Sequence, residues 1–349
     1  MPFPTLNEDV LRLVCQHVAA QAEADSSGGT QDDVGWFRRS SALRTLCLVN
    51  SQWRSVAQLE LESRVICRPS NHRALLRAVK ERGLGRRVRR LLGWRKVGEV
   101  DPATFDSFVE ACEELEQLEV FDWTLSLHSL ARMKNLKSLT LSRTKLYAGA
   151  SSLVLPCCLE KLALHLVALD FADFSTLSQA GAGSVENLSL GSFYPGPGQL
   201  TEGPLLKWLP TVRDLDASSI SLRADGWPLT FATDFDIVPP LLGHCERLEV
   251  LRLPVDHLSL ALQHLPTFNF LQSLYLHPAI DPDFDDVLDW DEGLLALLDG
   301  FRMTALSQLK KVVVTGRETF SAGAGGIAST PLYEVQEAAK LRGIEVEVR

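Results

Sequence analysis

One apolar phrase recurs along this chain: a leucine or valine, two variable residues, a second leucine or valine, one variable residue, and a third apolar position. It is cleanest at Leu136, Leu139 and Leu141 and again at Leu271, Leu274 and Leu276. Versions of it open at Val88, Leu115, Leu136, Leu159, Val185, Val212, Leu248, Leu271 and Leu309. The shortest interval, Leu115 to Leu136, is 21 residues and the longest, Leu271 to Leu309, is 38. A fixed triplet at such a period marks an array of small units, not one globular core. Ordering a unit of about 25 residues costs roughly 1 to 2 kcal/mol per residue, whereas four or five buried aliphatic side chains return about 1.5 to 3 kcal/mol apiece. A lone unit therefore stays unfolded, and only a run of neighbours is stable.

With 349 residues the chain exceeds the size at which single cores stop growing. Its 46% hydrophobic and 23% charged residues are ordinary for a folded protein. Met1 to Val10 carries neither a cationic stretch nor an apolar run, and no segment approaches the roughly 20 apolar residues of a membrane span. The expectation is a chain that is neither secreted nor membrane-spanning. Seven cysteines, an odd number without a CxxC pair, sit in apolar segments. That usage fits a reducing compartment, cytoplasmic and/or nuclear. The net charge of -9 hides an asymmetry: residues 1–100 hold 17 Lys+Arg against 10 Asp+Glu, and residues 101–349 hold 18 against 34. The two parts thus carry +7 and -16, as expected of a chain with two functional regions.

The first 66 residues do not fit the repeat. Asn7 can cap a helix whose first turn carries Glu8 and Asp9, favourable at the positive end of the helix dipole. Val10, Leu13, Val14 and Val18 then share one face, with Leu6 just ahead of the cap. After a polar stretch from Gln21 to Thr30, a second helical pattern runs Leu43, Leu46, Val49. Asn50 and Ser51 interrupt it and can cap a third segment bearing Trp53, Val56 and Ala57.

These residues carry a resemblance. Pro4-Thr5-Leu6-Asn7-Glu8-Asp9-Val10-Leu11, followed by Leu46-Cys47-Leu48-Val49-Asn50-Ser51-Gln52-Trp53-Arg54, resembles an F-box, with its proline-led acidic helix start and later Val-x-x-x-Trp-Arg. The match covers about a sixth of the chain, and its motifs are short. Asn7 stands where the family often has a second proline, and residues 20–39 lengthen the first connection. The resemblance implies docking on a Skp-type adaptor, and through it a cullin scaffold. Leu6, Val10, Leu11, Val14 and Trp53 would make that contact or shape its surface. Independently, about 45 ordered residues bury too little surface to be comfortably stable alone, so apolar faces on such a module call for a partner.

A helix from Asn71 to Arg82 comes next, with Leu75, Leu76 and Val79 on one face and Gly83 as its stop. It opens the most basic stretch of the chain, Arg82, Arg86, Arg87, Arg89, Arg90, Arg95 and Lys96. A nucleic-acid patch is disfavoured, because strand alternation sends half of these charges into solvent and Trp94 is the only aromatic among them.

From Leu115 onward the units resemble leucine-rich repeats. The phrase is often followed by an apolar eleventh position, as at Leu125, Leu146, Leu169, Leu222 and Leu258. The ninth position, usually Asn or Cys in that family, is Trp123, Thr144, Val167, Phe193, Ile220, Asp256 and Ala279. The resemblance implies an α/β fold: a small all-α F-box-like module over residues 1–66, with its insertion at about 20–39, then an irregular solenoid over 67–349. That solenoid would have about nine units, with parallel strands on the concave face and helices and loops on the convex one. Insertions around Arg223–Asp236 and His277–Asp291 should emerge as loops, and a helix from Pro331 to Gly343 with the strand Ile344–Val348 should close the array. Because strand side chains alternate, the outward positions are Glu119, Phe121, Thr140, Ser142, His165, Asp214, Asp216, Arg252, Tyr275 and His277. Phe121 and Tyr275 are the expected anchors for a target protein.

No catalytic pattern emerges. Gly323-Ala-Gly325-Gly326-Ile-Ala328 has the form G-x-G-x-x-A but follows no strand immediately and precedes its helix by several residues. Asp281, Asp283, Asp285 and Glu292 fit a calcium-loop frame, with Asp286 where its turn requires glycine. No nucleophile elbow, metalloprotease motif or phosphate loop is present. The expectation is a protein without cofactor that recruits a target to an SCF-type ubiquitin ligase; the alternative is a repeat scaffold or inhibitor that recruits no ligase.

Overall fold

Each of the nine openings is followed two residues later by a β-strand. In the computed structural model, the strands are β1 Arg64–Cys67, β2 Arg90–Trp94, β3 Gln117–Phe121, β4 Thr124–Ser126, β5 Ser138–Ser142, β6 Lys145–Tyr147 and β7 Lys161–His165. They continue with β8 Asn187–Leu190, β9 Asp214–Asp216, β10 Val250–Pro254, β11 Ser273–His277, β12 Lys311–Val314 and β13 Glu345–Val348. The structure describes residues 7–24, 32–68, 71–94, 102–147, 159–165, 167, 171–179, 183–191, 204–218, 242–264, 270–277, 290–301, 306–315 and 330–349. Leu6, the 225–236 insertion, nearly all of the 277–291 insertion and the glycine pattern at 323–328 lie outside the described residues.

The architecture is α/β, with an 11-stranded sheet in the order β1-β2-β3-β5-β7-β8-β9-β10-β11-β12-β13 and a separate parallel pair, β4-β6. Strand follows strand in chain order, and neighbours run parallel. The repeated triplet explains the register. Leu139 pairs with Leu162, Leu162 with Leu188, Leu188 with Leu215, Leu215 with Leu251, Leu251 with Leu274, and Leu274 with Val312. The second position of the phrase thus forms one continuous buried row, and the opening position is buried in every copy. A slip of one residue would turn that row to the other face, so the pattern fixes the pairing.

Two features shape the turns that follow β3 and β5. Thr144, at the ninth position, is buried, and its Oγ1–H is shared between the carbonyls of Ser142 and Val120, at 3.0 and 3.3 Å. Just before it, Arg143 takes φ 50°, as Asp122 takes φ 59° one repeat earlier. These left-handed residues turn the chain into β4 and β6. Trp123 and Val167, also at ninth positions, are buried instead as apolar filling.

The chain divides into two compact units, Met1–Leu118 and Glu119–Arg349. The first holds three helices, α1 Glu8–Ala24, α2 Asp32–Leu46 and α3 Ser51–Ser63, then β1, α4 His72–Arg82, β2 and α5 Pro102–Glu110. Asn7 Oδ1 accepts from the backbone N–H of Asp9 at 2.9 Å, and Asn50 Oδ1 accepts from that of Trp53 at 3.0 Å. Both caps are those the sequence predicts. The helices are longer than expected: α1 runs on to Ala24 through an alanine-rich segment of high helix propensity, and α2 begins at Asp32. Residues 20–39 are thus helical at both ends of their described part. Arg39, at their far end, is buried, with Nη2 donating to Glu60 Oε1 at 2.8 Å and to Glu60 O at 3.1 Å.

A strand that the repeat does not announce, β1, leaves α3 directly, crosses the expected boundary at residue 66, and pairs with β2 from Arg64↔Arg90 to Cys67↔Gly93. Gly83, at φ 65°, ends α4. Gly93 occupies the third apolar position of its copy, where a Cβ would lie 2.5 Å from Phe105 Cζ. The ring from α5 fills the place a side chain would take.

In the second unit, helices Leu127–Ala131, Phe171–Gln179, Leu258–His264, Trp290–Phe301 and Thr330–Leu341 connect successive strands. Ser184 Oγ donates to Leu159 O at 2.8 Å, and Thr211 Oγ1 donates to Val185 O at 2.9 Å, tying consecutive opening positions together. The final helix stops before Gly343, at φ 69°, and leads into β13.

Candidate interaction surfaces

In the three-helix region, α1 has two apolar stripes. Leu11, Cys15 and Ala19, spaced four apart, are buried with Leu43, Val56 and Ala57 in one small core. The face that the sequence singles out, Val10, Leu13 and Val14, stays in solvent, and Leu13 is 66% exposed. Leu48 and Val49, just past α2, are exposed as well, at 79% and 58%. Of the expected contact residues, Val10 and Val14 lie on the open face, Leu11 lies in the core, and Trp53 is half-buried against that core. Arg54 beside it donates from Nε to Cys47 O at 3.2 Å, holding the start of α3 to the end of α2. Trp53 thus packs against the core, and Arg54 links the two helices at the surface. Leu13, Leu48 and Val49 were not assigned a contact role by the sequence; the signal of Leu13 is apolar character off the Leu11-Cys15-Ala19 stripe of α1, and that of Leu48 and Val49 is apolar character in the turn after α2.

The basic stretch in the first unit is partly neutralised. Arg87 Nη1 lies 2.5 Å from Glu62 Oε2, and Arg89 Nη1 lies 3.5 Å from Glu116 Oε1.

On the sheet of the second unit, all ten expected outward positions are half-buried: Glu119, Phe121, Thr140, Ser142, His165, Asp214, Asp216, Arg252, Tyr275 and His277. Register brings several together. Asp216, Arg252 and Tyr275 stand side by side on β9, β10 and β11. Arg252 Nη1 pairs with Asp214 Oδ1, and its guanidinium lies 4.9 Å from the Tyr275 ring centroid. Asp216 Oδ1 accepts from Ser218 N at 3.0 Å and from Ser218 Oγ at 2.6 Å.

Two imidazoles flank this group. His165 Nε2 is 3.3 Å from Ser189 Oγ, and its ring lies over Gly191, where a Cβ would come within 2.4 Å of Nδ1. His277 Nδ1 is 3.0 Å from Thr315 Oγ1, whose own hydrogen is directed to Leu276 O at 3.0 Å. Thr315 Oγ1 thus bridges the Leu276 carbonyl and the His277 ring. Burial lowers the pKa of both histidines against the opposing pull of Asp216, and Arg252 lowers that of His277 further. Burial thus favours the neutral form of both rings.

Strands β12 and β13 add charges beyond the expected set. Lys311 Nζ is 2.7 Å from Glu347 Oε2 and 3.8 Å from Glu345 Oε1, and Arg349 Nε is 2.7 Å from Glu347 Oε1. Hydrogen bonds from Arg349 and Lys311 hold the Glu347 carboxyl down to about 2. The same alternation that gives Tyr275 gives these residues.

Among the described residues, no group of three or more His, Cys, Asp or Glu side chains could hold a metal ion, and no helix is long and apolar enough to cross a membrane. The described cysteines are unbridged, and burial pushes the Cys67, Cys112 and Cys245 thiols up to about 12. Thiols so protonated are poor nucleophiles and serve as core atoms. No protein-family model and no curated protein matches the chain.

Proposed function

We propose that the chain is the substrate-recruiting subunit of an SCF-type ubiquitin ligase. Its N-terminal helices act as an F-box that docks on a Skp-type adaptor, and through it on a cullin scaffold. Its repeats, read as leucine-rich repeats, present a sheet face to a target protein. The observation that carries this reading is the second apolar face of α1. Leu11, Cys15 and Ala19 already complete the core, so Val10, Leu13 and Val14, together with Leu48 and Val49, add exposed apolar surface with no structural task. Apolar surface of that kind on a small helical unit marks a protein interface. The Val-x-x-x-Trp-Arg sequence supports the F-box reading, with Trp53 packed against the core and Arg54 joining two helices.

Such a subunit works by proximity. One surface is anchored to the ligase and another holds the target, so the reacting lysine and the charged ubiquitin meet at high effective concentration, while other subunits perform the transfer. Co-expression with a Skp-type adaptor tests the reading. The full chain is expected to co-purify with the adaptor, and Val10→Ser/Leu13→Ser/Val14→Ser to lose it while keeping its helical circular dichroism. A folded chain that never binds adaptor would leave the sheet as a scaffold or inhibitor.

A further inference from the structure

We infer that the sheet face around Asp216 accepts a basic side chain, Arg or Lys, from an unmodified segment of the partner protein. The inference rests on the sheet face being a docking surface. The carboxylates Asp214, Glu345 and Glu347 on the described strands each have a basic partner within 4.0 Å. Asp216 has none among the described residues; its Oδ1 is taken by Ser218, and Oδ2 keeps its acceptor capacity. Its cross-strand neighbour on β10, Arg252, is held on Asp214 and over the Tyr275 ring. Burial disfavours the charged form of the His165 and His277 rings on either side. A half-buried carboxylate flanked by neutral imidazoles is a site for a cation, since hydrogen bonds to a charged group are the strong ones in a partly desolvated place.

The charge balance of this part of the chain has the same sign: residues 101–349 carry 18 Lys+Arg against 34 Asp+Glu. A phosphorylated or acidic segment would approach against this potential, and a basic one along it. The Arg252–Tyr275 stack beside Asp216 supplies the aromatic body against which the aliphatic stem of an Arg or Lys packs.

The test uses the immobilised full chain and a displayed library of random 12-residue peptides, with no adaptor present, so its outcome is independent of adaptor binding. Peptides enriched on the chain are expected to share an Arg or Lys. Asp216→Asn is expected to weaken the enriched peptide about tenfold in fluorescence anisotropy, and Glu334→Gln, a carboxylate change on the final helix, to leave it unchanged. Replacing the peptide's basic residue with Gln should cost the same factor on the unaltered chain, after which Asp216→Asn should make no further difference. Enrichment of acidic or uncharged peptides, no enrichment at all, or independent effects of the two changes would overturn the inference.

Discussion

Single residues decide how this sheet closes its turns. The Thr144 hydroxyl reaches the carbonyl of Ser142 on β5 and that of Val120 on the neighbouring strand β3. Thr144→Val, nearly isosteric, should cost about 1 to 2 kcal/mol in urea unfolding, the range for leaving buried acceptors unpaired, and Thr144→Asn should restore most of it. The histidines give a second residue-level expectation. Both have folded-state pKa values below the usual 6.5, so the unfolded chain takes up protons that the folded one refuses as pH falls through that value. Stability contributed by the neutral rings is full above pH 6.5 and declines below it. The melting temperature should drop between pH 7.5 and 5.5, and the drop should be smaller in His165→Gln/His277→Gln.

Elements show where sequence reasoning reaches and where it stops. Every strand position marked by the Leu triplet was legible, because period two and a buried row leave a single consistent register. The helix caps at Asn7 and Asn50 were legible for a local reason: each side chain bonds a backbone N–H two or three residues on. Asn50→Ala should cost about 1 kcal/mol and lower the thermal midpoint of the helical region. The two stripes of α1 were only half legible. Apolar residues occupy both Val10-Leu13-Val14 and Leu11-Cys15-Ala19, and periodicity alone cannot say which stripe meets α2 and α3. Packing chose the stripe with the smaller side chains, Cys15 and Ala19, which let helices approach closely. The strand β1 was missed because Arg64–Cys67 is four residues long and carries no triplet; its existence depends on pairing with β2. The rows of outward side chains were readable, but the partners they choose, such as Arg252 with Asp214 across neighbouring strands, depend on register and not on sequence distance.

For the whole molecule, the first compact unit is nearly balanced in charge, 17 Lys+Arg against 16 Asp+Glu, the second is acidic, 18 against 28, and the two carry distinct kinds of surface. The first presents aliphatic side chains on helices; the second presents charged and aromatic ones on strands. That division suits a protein that joins two partners of different chemistry. The proposed docking of a Skp-type adaptor on the exposed face of α1 is tested most directly by calorimetric titration of adaptor into the full chain. The result expected is one-to-one binding with a Kd of about 1 µM or tighter, lost in Val10→Ser/Leu13→Ser/Val14→Ser. No heat of binding with the folded chain, or unchanged affinity in that variant, would contradict it.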